Sequence, residues 1–239
     1  MLKDIPIVIL CGGLGTRLRR LIPDRPKVLV PFHKKVLLDI TMELLQKNGF
    51  EKIILSVGFM KEQVKEHCEK CGYKVTFSEE DTPLGTGGAI KKALDRHIKT
   101  SIFFVMNGDM VFNPNFNDLL DFHTVNGGIM SLFVTGGYIG NGGTVVFLDN
   151  QNKIIDWREK TENDAPENIR LNAGTYIMSR EVSAFFPQKN SFSLENEVFP
   201  KIFRDRCYGL ETDIQLIDIG VPERYNSALK MSSQILKTI

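Results

Sequence analysis

Apolar and polar positions fall into two regimes along the chain. Through the first half, short apolar runs alternate with stretches whose apolar residues recur every three to four positions. The runs predict strands over residues 5–11, 53–57, 74–78, 102–106 and 129–134. The helix-period stretches predict helices over 36–48, 61–71, 87–98 and 115–125. Such alternation builds βαβ units, so a mostly parallel sheet with helices on both faces is expected. After residue 135 the pattern changes. A glycine-rich break at 138–143 precedes short strands over 144–148, 153–158 and 172–178. The turn-forming Asp149-Asn-Gln-Asn152 joins the first two, which reads as a hairpin. Helical segments near 180–186 and 193–203 follow, then a strand over 214–217. A closing helix starts at about Pro222, with Glu223 in its positive first turn.

The end of the first predicted strand carries the most informative chemistry. Leu10 is followed by Cys11-Gly12-Gly13-Leu14-Gly15-Thr16-Arg17-Leu18, and Pro26-Lys27 lies a short distance on. Glycines let backbone N–H groups approach a ligand closely, as phosphate-cradling loops require. Arg17 offers a planar, permanently charged fork suited to phosphate, and Lys27 a compact point charge. Strand, glycine loop and two cations together point to a nucleoside triphosphate site. Two other phosphate motifs do not fit. A dinucleotide fingerprint needs glycine where this chain has Leu18, and a Walker A loop needs Gly-Lys-Ser/Thr. In sheets of this kind ligands bind at the carboxyl ends of the strands. The glycine loop, residues 79–88 and residues 107–109 all belong to that edge.

Composition narrows the class. With 239 residues and 42% hydrophobic content, the chain can bury one large core. A net charge of +1 gives no global field toward nucleic acid or an anionic membrane, so neither is an expected partner. One lysine and Asp4 before a brief apolar run do not make a signal peptide, and no run is long enough to span a membrane. A soluble cytoplasmic protein is expected. Cys11, Cys68, Cys71 and Cys207 make no disulfide framework in a chain of this size. Cys68 and Cys71 have metal-ligand spacing, but a structural zinc site needs two more ligands and only His67 is near in sequence. They read as reduced thiols. Oligomeric state is not legible, and a homodimer is compatible with the sequence.

The longer pattern, G-x-G-T-R-L followed by P-K, resembles the opening signature of the sugar-1-phosphate nucleotidyltransferases, and the resemblance runs from Ile7 to about Tyr225. It implies a Rossmann-like three-layer αβα fold with a mostly parallel central sheet and a small β-rich sugar-binding subdomain. The whole chain, 1–239, would be one domain, with 1–135 the nucleotide-binding half and 136–239 the sugar-phosphate-binding half. The resemblance implies that Leu10, Cys11, Gly12, Gly13, Gly15 and Thr16 wrap the triphosphate. Arg17 would hold the departing β- and γ-phosphates, and Lys27 would sit between the α-phosphate and the incoming sugar phosphate. Asn107-Gly108-Asp109 at a strand end, with Asp218 in Asp218-Ile-Gly-Val-Pro222, matches the family's metal pair for Mg2+. Asn107 and Gly108 would border the nucleotide.

The segment Glu79-Glu80-Asp81-Thr82-Pro83-Leu84-Gly85-Thr86 resembles the family's base-reading loop, with Glu80 where guanine-using members carry an acid. A carboxylate accepts from guanine N1–H and N2–H₂ together, whereas it would be repelled by the carbonyls flanking N3–H of uracil. Pro83, Gly85 and Thr86 join Glu80 in this expected base site, and GTP is the favoured nucleotide. On the sugar side, Glu159-Lys160 and Asn172-Ala-Gly resemble the family's sugar and sugar-phosphate contacts, with Gly143 and Glu195 added. Thr161 stands where the family carries proline after the lysine. The branch most resembled is the D-glycero-D-manno-heptose 1-phosphate guanylyltransferases, through 83–90, 192–195 and 218–222. The expected reaction transfers GMP from GTP to that sugar 1-phosphate for surface polysaccharide synthesis. Uridylyl, thymidylyl and phosphocholine cytidylyl transfer remain open, as does a non-catalytic nucleotide sensor. Retention of Arg17, Lys27, Asp109 and Asp218 argues against the sensor.

Overall fold

The computed structural model describes residues 2–111, 113–136, 138–139, 143–161, 163–164, 169–214 and 216–235. Part of the expected glycine-rich break, residues 140–142, lies outside them, as does residue 215 of the expected strand over 214–217. Among the described residues, fourteen strands run in chain order. They are β1 (Ile7–Leu10), β2 (Pro31–Phe32), β3 (Lys35–Val36), β4 (Ile53–Val57), β5 (Thr76–Glu79), β6 (Ile102–Asn107) and β7 (Met110–Val111). There follow β8 (Met130–Thr135), β9 (Tyr138–Ile139), β10 (Thr144–Leu148), β11 (Ile154–Glu159), β12 (Arg170–Ser179), β13 (Cys207–Thr212) and β14 (Leu216–Asp218). The helices are α1 (Leu37–Lys47), α2 (Lys61–Cys71), α3 (Gly85–His97), α4 (Phe116–Asn126), α5 (Phe199–Ile202) and α6 (Pro222–Ile235).

Nine strands form one sheet. β5, β4, β1 and β6 lie parallel, β12 runs antiparallel to β6 and to β8, and β13 is parallel to β8 beyond it. The β10–β11 hairpin joins at the start of β12, giving the β-rich extension. The period-2 geometry of a strand sends successive side chains to opposite faces. Ile7 and Ile9 of β1, with Phe104 and Met106 of β6, therefore enter one core, beside Leu38, Met42 and Leu45 of α1 and Val64 of α2. Val8, Phe103 and Val105 enter the other, beside Ile90, Ala93 and Leu94 of α3. Helices thus cover both faces, in the expected three-layer arrangement. A smaller core of Leu18, Val30, Phe32, Ile219 and Tyr225 ties the segment after the glycine loop to α6.

Differences from the sequence reading have local causes. Residues 193–203 do not form one helix: a π-type turn over Leu194–Val198 precedes α5. Pro200 has no N–H to donate back, so a regular ladder cannot pass through it. Residues Arg180–Phe185 form a 3₁₀ helix. β13 was not expected, and Gly209 inside it blurs the strand pattern; a Cβ there would stand 2.8 Å from the Leu148 side chain. No helix among the described residues is long and apolar enough to cross a membrane.

Candidate active site

The loop after β1 is fixed by the neighbouring strands. Cys11 N–H donates to the Ser56 carbonyl at 2.8 Å, and Gly108 N–H donates to the Leu10 carbonyl at 3.1 Å. Gly15 takes a positive φ of 55°, and its carbonyl accepts from Arg19 N–H at 2.9 Å, opening the turn whose Leu18 is buried. Gly12 crosses Glu80 so closely that a Cβ would stand 2.5 Å from Glu80 Oε1. Gly13 faces open space. This loop forms one wall of a cleft of about 380 Å³ at the carboxyl ends of β1 and β6. Leu10, Cys11, Gly12, Gly13, Gly15 and Thr16 all line it, and Arg17 and Lys27 border the same space. The Cys11 thiol is buried, and desolvation pushes its pKa far up, which leaves it an unreactive spacer.

Charge is concentrated on the floor. Pro26 is extended and starts the 3₁₀ turn Lys27–Leu29, which aims Lys27 inward to pair with Asp109. Asp109 follows β6, and Asp218 ends β14, which pairs with β7 directly after Asp109. Ile219 N–H donates to the Asp109 carbonyl at 3.1 Å, locking the two segments together. Burial disfavours the charged form of Asp109, but the Lys27 ammonium more than offsets it and holds the carboxyl below its ordinary range. Burial and the Asp109 charge push Asp218 up, partly offset by Arg224 and Lys27. Arg224, in the first turn of α6, pairs with Asp218 and was not singled out from sequence. Two carboxylates sharing one field and supplying only oxygen donors suit a hard cation such as Mg2+. The residues therefore fit the expected ion.

The segment expected to read the base adjoins the glycine loop. Glu80, Pro83, Gly85 and Thr86 line the cleft with Asn107 and Gly108. Glu80 is buried; its Oε1 accepts from Ser56 Oγ at 3.0 Å and its Oε2 from Leu84 N–H at 3.1 Å. Burial raises its pKa, and those two donors work against the rise. The glycines that open α3 have a second role, not evident from sequence. A Cβ at Gly88 would stand 2.2 Å from the Asn190 carbonyl oxygen, and one at Gly87 2.3 Å from the Phe192 ring. Gly87 N–H donates to the Phe192 carbonyl at 3.0 Å. Gly87 and Gly88 thus admit the segment before α5, while Gly85 lines the cleft.

The sugar-side candidates are arranged beyond this floor. Thr86 Oγ1 donates to Glu195 Oε2 at 2.6 Å, and Ser193 Oγ donates to the same oxygen at 2.9 Å. Glu195 is thereby tied to the base segment. Asn172 Nδ2 donates to the Tyr176 hydroxyl at 2.6 Å, and its Oδ1 accepts from Gly174 N–H at 2.9 Å, shaping the bulge in β12. Tyr176 is buried, and its pKa is raised by desolvation and by the charges of Glu195 and Asp109. Lys160 N–H donates to the Gly143 carbonyl at 2.9 Å, while Glu159 is exposed at the end of β11. Gly143, Glu159, Lys160, Asn172 and Glu195 are not among the residues lining the cleft itself. Thr161 replaces the family's proline by another device: its N–H and hydroxyl both donate to Asp164 Oδ2, at 2.7 and 3.0 Å, and Arg158 clamps that carboxylate. Tyr176, Ser56 and Arg224 could not be found from sequence, since each acts on a partner brought to it only by folding.

The family model described as nucleotidyl transferase matches residues 7–234. The chain is 34% identical to the D-glycero-alpha-D-manno-heptose 1-phosphate guanylyltransferase of Campylobacter jejuni, over 91% of this chain and 96% of the relative. It is 32% identical to the mannose-1-phosphate guanylyltransferase catalytic subunit beta of Dictyostelium discoideum, over 97% of this chain but only 65% of that longer protein. The solved structure of HddC from Yersinia pseudotuberculosis superposes with a TM-score of 0.82 at 30% identity, covering 95% of this chain and 99% of HddC. HddC has also been solved complexed with GMP-PN.

Proposed function

This chain belongs to the nucleotidyl transferase family, and we propose that within it the chain transfers GMP from GTP to D-glycero-D-manno-heptose 1-phosphate, releasing pyrophosphate. The product, GDP-heptose, suits surface polysaccharide assembly. One observation carries the reading. A glycine-walled cleft holds Lys27 against Asp109 and buries Glu80 beside the glycine loop, in a chain similar along nearly its whole length to a heptose 1-phosphate guanylyltransferase.

The chemistry follows from charge. An oxygen of the sugar phosphate attacks the α-phosphorus of GTP; the new P–O bond forms as the bond to the β-phosphate oxygen breaks, and pyrophosphate carries the electron pair away. The nucleophile is already ionised, so no general base is needed. Two polyanions must meet, and each unit-charge pair at 4 Å repels by about 4 kcal/mol at an effective dielectric near 20. Arg17 at the cleft rim receives the departing phosphates, and Lys27 neutralises the α-phosphate and the incoming phosphate. Asp109 and Asp218 would hold Mg2+, which supplies further charge neutralisation when bound. Glu80 accepts from the guanine edge with lone pairs left over from Ser56 and Leu84. Glu159, Lys160, Asn172, Gly143 and Glu195 are assigned to the sugar phosphate.

Pyrophosphate release with Mg2+ across several nucleoside triphosphates and sugar 1-phosphates tests the reading. Turnover with GTP and manno-heptose 1-phosphate is expected. Preference for mannose 1-phosphate, supported by the 32% identity to a mannose enzyme, is the second reading. Turnover with UTP or dTTP in place of GTP would overturn Glu80 as the guanine reader. GTP binding without turnover on any sugar phosphate would overturn the transferase assignment.

A further inference from the structure

Away from the cleft, three side chains of different chemistry converge. Asp39 of α1, His67 of α2 and Cys71 at the end of α2 bring one potential ligand atom each within 4.8 Å of one another. His67 Nε2 lies 2.7 Å from Asp39 Oδ1 and 3.6 Å from Cys71 Sγ. His67 and Cys71 are one helical turn apart and so share a face of α2. The sequence offers His67 near the Cys68/Cys71 pair but gives no sign of a third ligand. Folding supplies it from α1, and the thiol that joins is Cys71, because Cys68 is buried on another side of the helix.

We propose that Asp39, His67 and Cys71 form a binding site for a borderline divalent transition metal of the Zn2+ class, distinct from the two-carboxylate site in the cleft. Ligand bonds of about 2.0–2.3 Å at tetrahedral angles separate N, O and S donors by roughly 3.3–3.5 Å. The sulfur–nitrogen spacing of 3.6 Å already matches, the nitrogen–oxygen pair at 2.7 Å must open by about 0.6 Å, and the three atoms, all within 4.8 Å, close by no more than about 1.3 Å. An Asp–His ion pair alone accounts for the first contact; it does not account for a thiol directed at the same nitrogen. The ligands are also oriented from behind, as metal sites require. Val36 N–H donates to Asp39 Oδ2 at 3.1 Å, and the Tyr73 hydroxyl donates to Asp39 Oδ1 at 2.9 Å. Gly72, with a φ of 68°, makes the turn that sends Tyr73 back to this carboxylate. Asp39 and His67 are half-buried while Cys71 is exposed, so an ion has a path in. On binding, the thiol proton leaves to solvent and the imidazole keeps one proton on Nδ1, freeing the Nε2 lone pair; water completes the fourth position. A mixed sulfur, nitrogen and oxygen set selects Zn2+ or Co2+ over Mg2+.

The test uses the full chain without an affinity tag, stripped by chelator, titrated with Co2+ and Zn2+ in excess Mg2+. One equivalent of Co2+ should bind and give a thiolate-to-cobalt charge-transfer band. The band should persist in Cys68→Ser, vanish in Cys71→Ser, and need roughly 10–100-fold more metal in His67→Gln. Saturating Zn2+ should raise Tm by about 5 °C or more in the wild type and not in Cys71→Ser. Cys71 is exposed, so its replacement leaves the fold in place and the comparison interpretable. A wild type that binds Co2+ without a thiolate band, or no more tightly than Cys71→Ser, would overturn the site. So would a band lost in Cys68→Ser instead.

Discussion

Lys27 and Glu80 show how single side chains divide the work of the cleft. Lys27 pairs with Asp109, and it also faces Asp218, since a Cβ at the intervening Gly220 would stand 2.9 Å from Lys27 Nζ and 2.7 Å from Asp218 Oδ1. Its charge acts where negative charge gathers in the reaction. Lys27→Ala should therefore lower kcat by about 10²–10³-fold, on the scale of losing one preorganised stabilising group. Nucleotide affinity and the circular dichroism spectrum should be little changed; near-normal turnover would remove Lys27 from the mechanism. The role proposed for Glu80 is on the base instead. Glu80→Gln keeps the shape and can still accept from Ser56, but it presents an amide donor to a guanine edge that only donates. GTP binding should weaken about tenfold or more, equivalent to roughly 1.4 kcal/mol, while UTP binding stays as it was. Calorimetric titration of both nucleotides separates these outcomes. Lys27, Asp109 and Glu80 could be proposed from sequence because each sits in a short contiguous motif. Arg224 was not, because its meaning lies in Asp218, which it meets only when α6 docks.

At the scale of elements, the helix-and-strand alternation was readable wherever one periodicity ran uninterrupted. The strand over Ile53–Val57 and the helix over Lys61–Cys71 fall where the pattern puts them. Reading failed where a backbone special intervened: Pro200 split the helix expected over 193–203, and Gly209 concealed β13. The glycines at the start of α3 stood out in the sequence as room for a base, but the structure gives Gly87 and Gly88 another reason. Gly87 and Gly88 are small because the segment carrying Asn190 and Phe192 passes against them, and no pattern in the sequence links positions a hundred residues apart. A Cβ at Gly88 meets a backbone carbonyl at 2.2 Å, which cannot move aside as a flexible side chain could. Gly88→Ala should cost about 1–3 kcal/mol by overpacking and lower Tm by roughly 3–10 °C. Gly13→Ala provides the contrast, since nothing lies within 4 Å of its Cβ position. Its Tm should hold while its KM for the nucleotide rises, because the added methyl occupies the space a phosphate must enter. Equal melting shifts in the two variants would contradict this account of the α3 glycines.

For the molecule as a whole, the two halves of the chain share one sheet and one cleft, so stability and function respond to pH through different groups. His123 on α4 is buried against the sheet and exchanges a hydrogen bond of 2.9 Å with Ser131 of β8. Desolvation lowers its pKa to about 4 from an ordinary value of 6.5. The folded chain thus resists a proton that the unfolded chain accepts, and stability falls as pH drops from about 6.5 toward 4, then levels. The slope reaches about 1.4 kcal/mol per pH unit, and the whole loss is about 3 kcal/mol. Asp218 and Glu80 have raised pKa values, so their protonation favours the folded state and opposes this trend. Asp109, held below its usual range by Lys27, begins to lose its contribution only as pH falls through its ordinary value of 3.8. The decline between pH 6.5 and 4 should therefore belong chiefly to His123. Urea unfolding across that window should show it in the wild type, and His123→Gln should flatten it while retaining the cleft's nucleotide binding at neutral pH. An acid slope unchanged in His123→Gln would place the sensitivity elsewhere, with His97, whose pKa burial also lowers, next to be replaced.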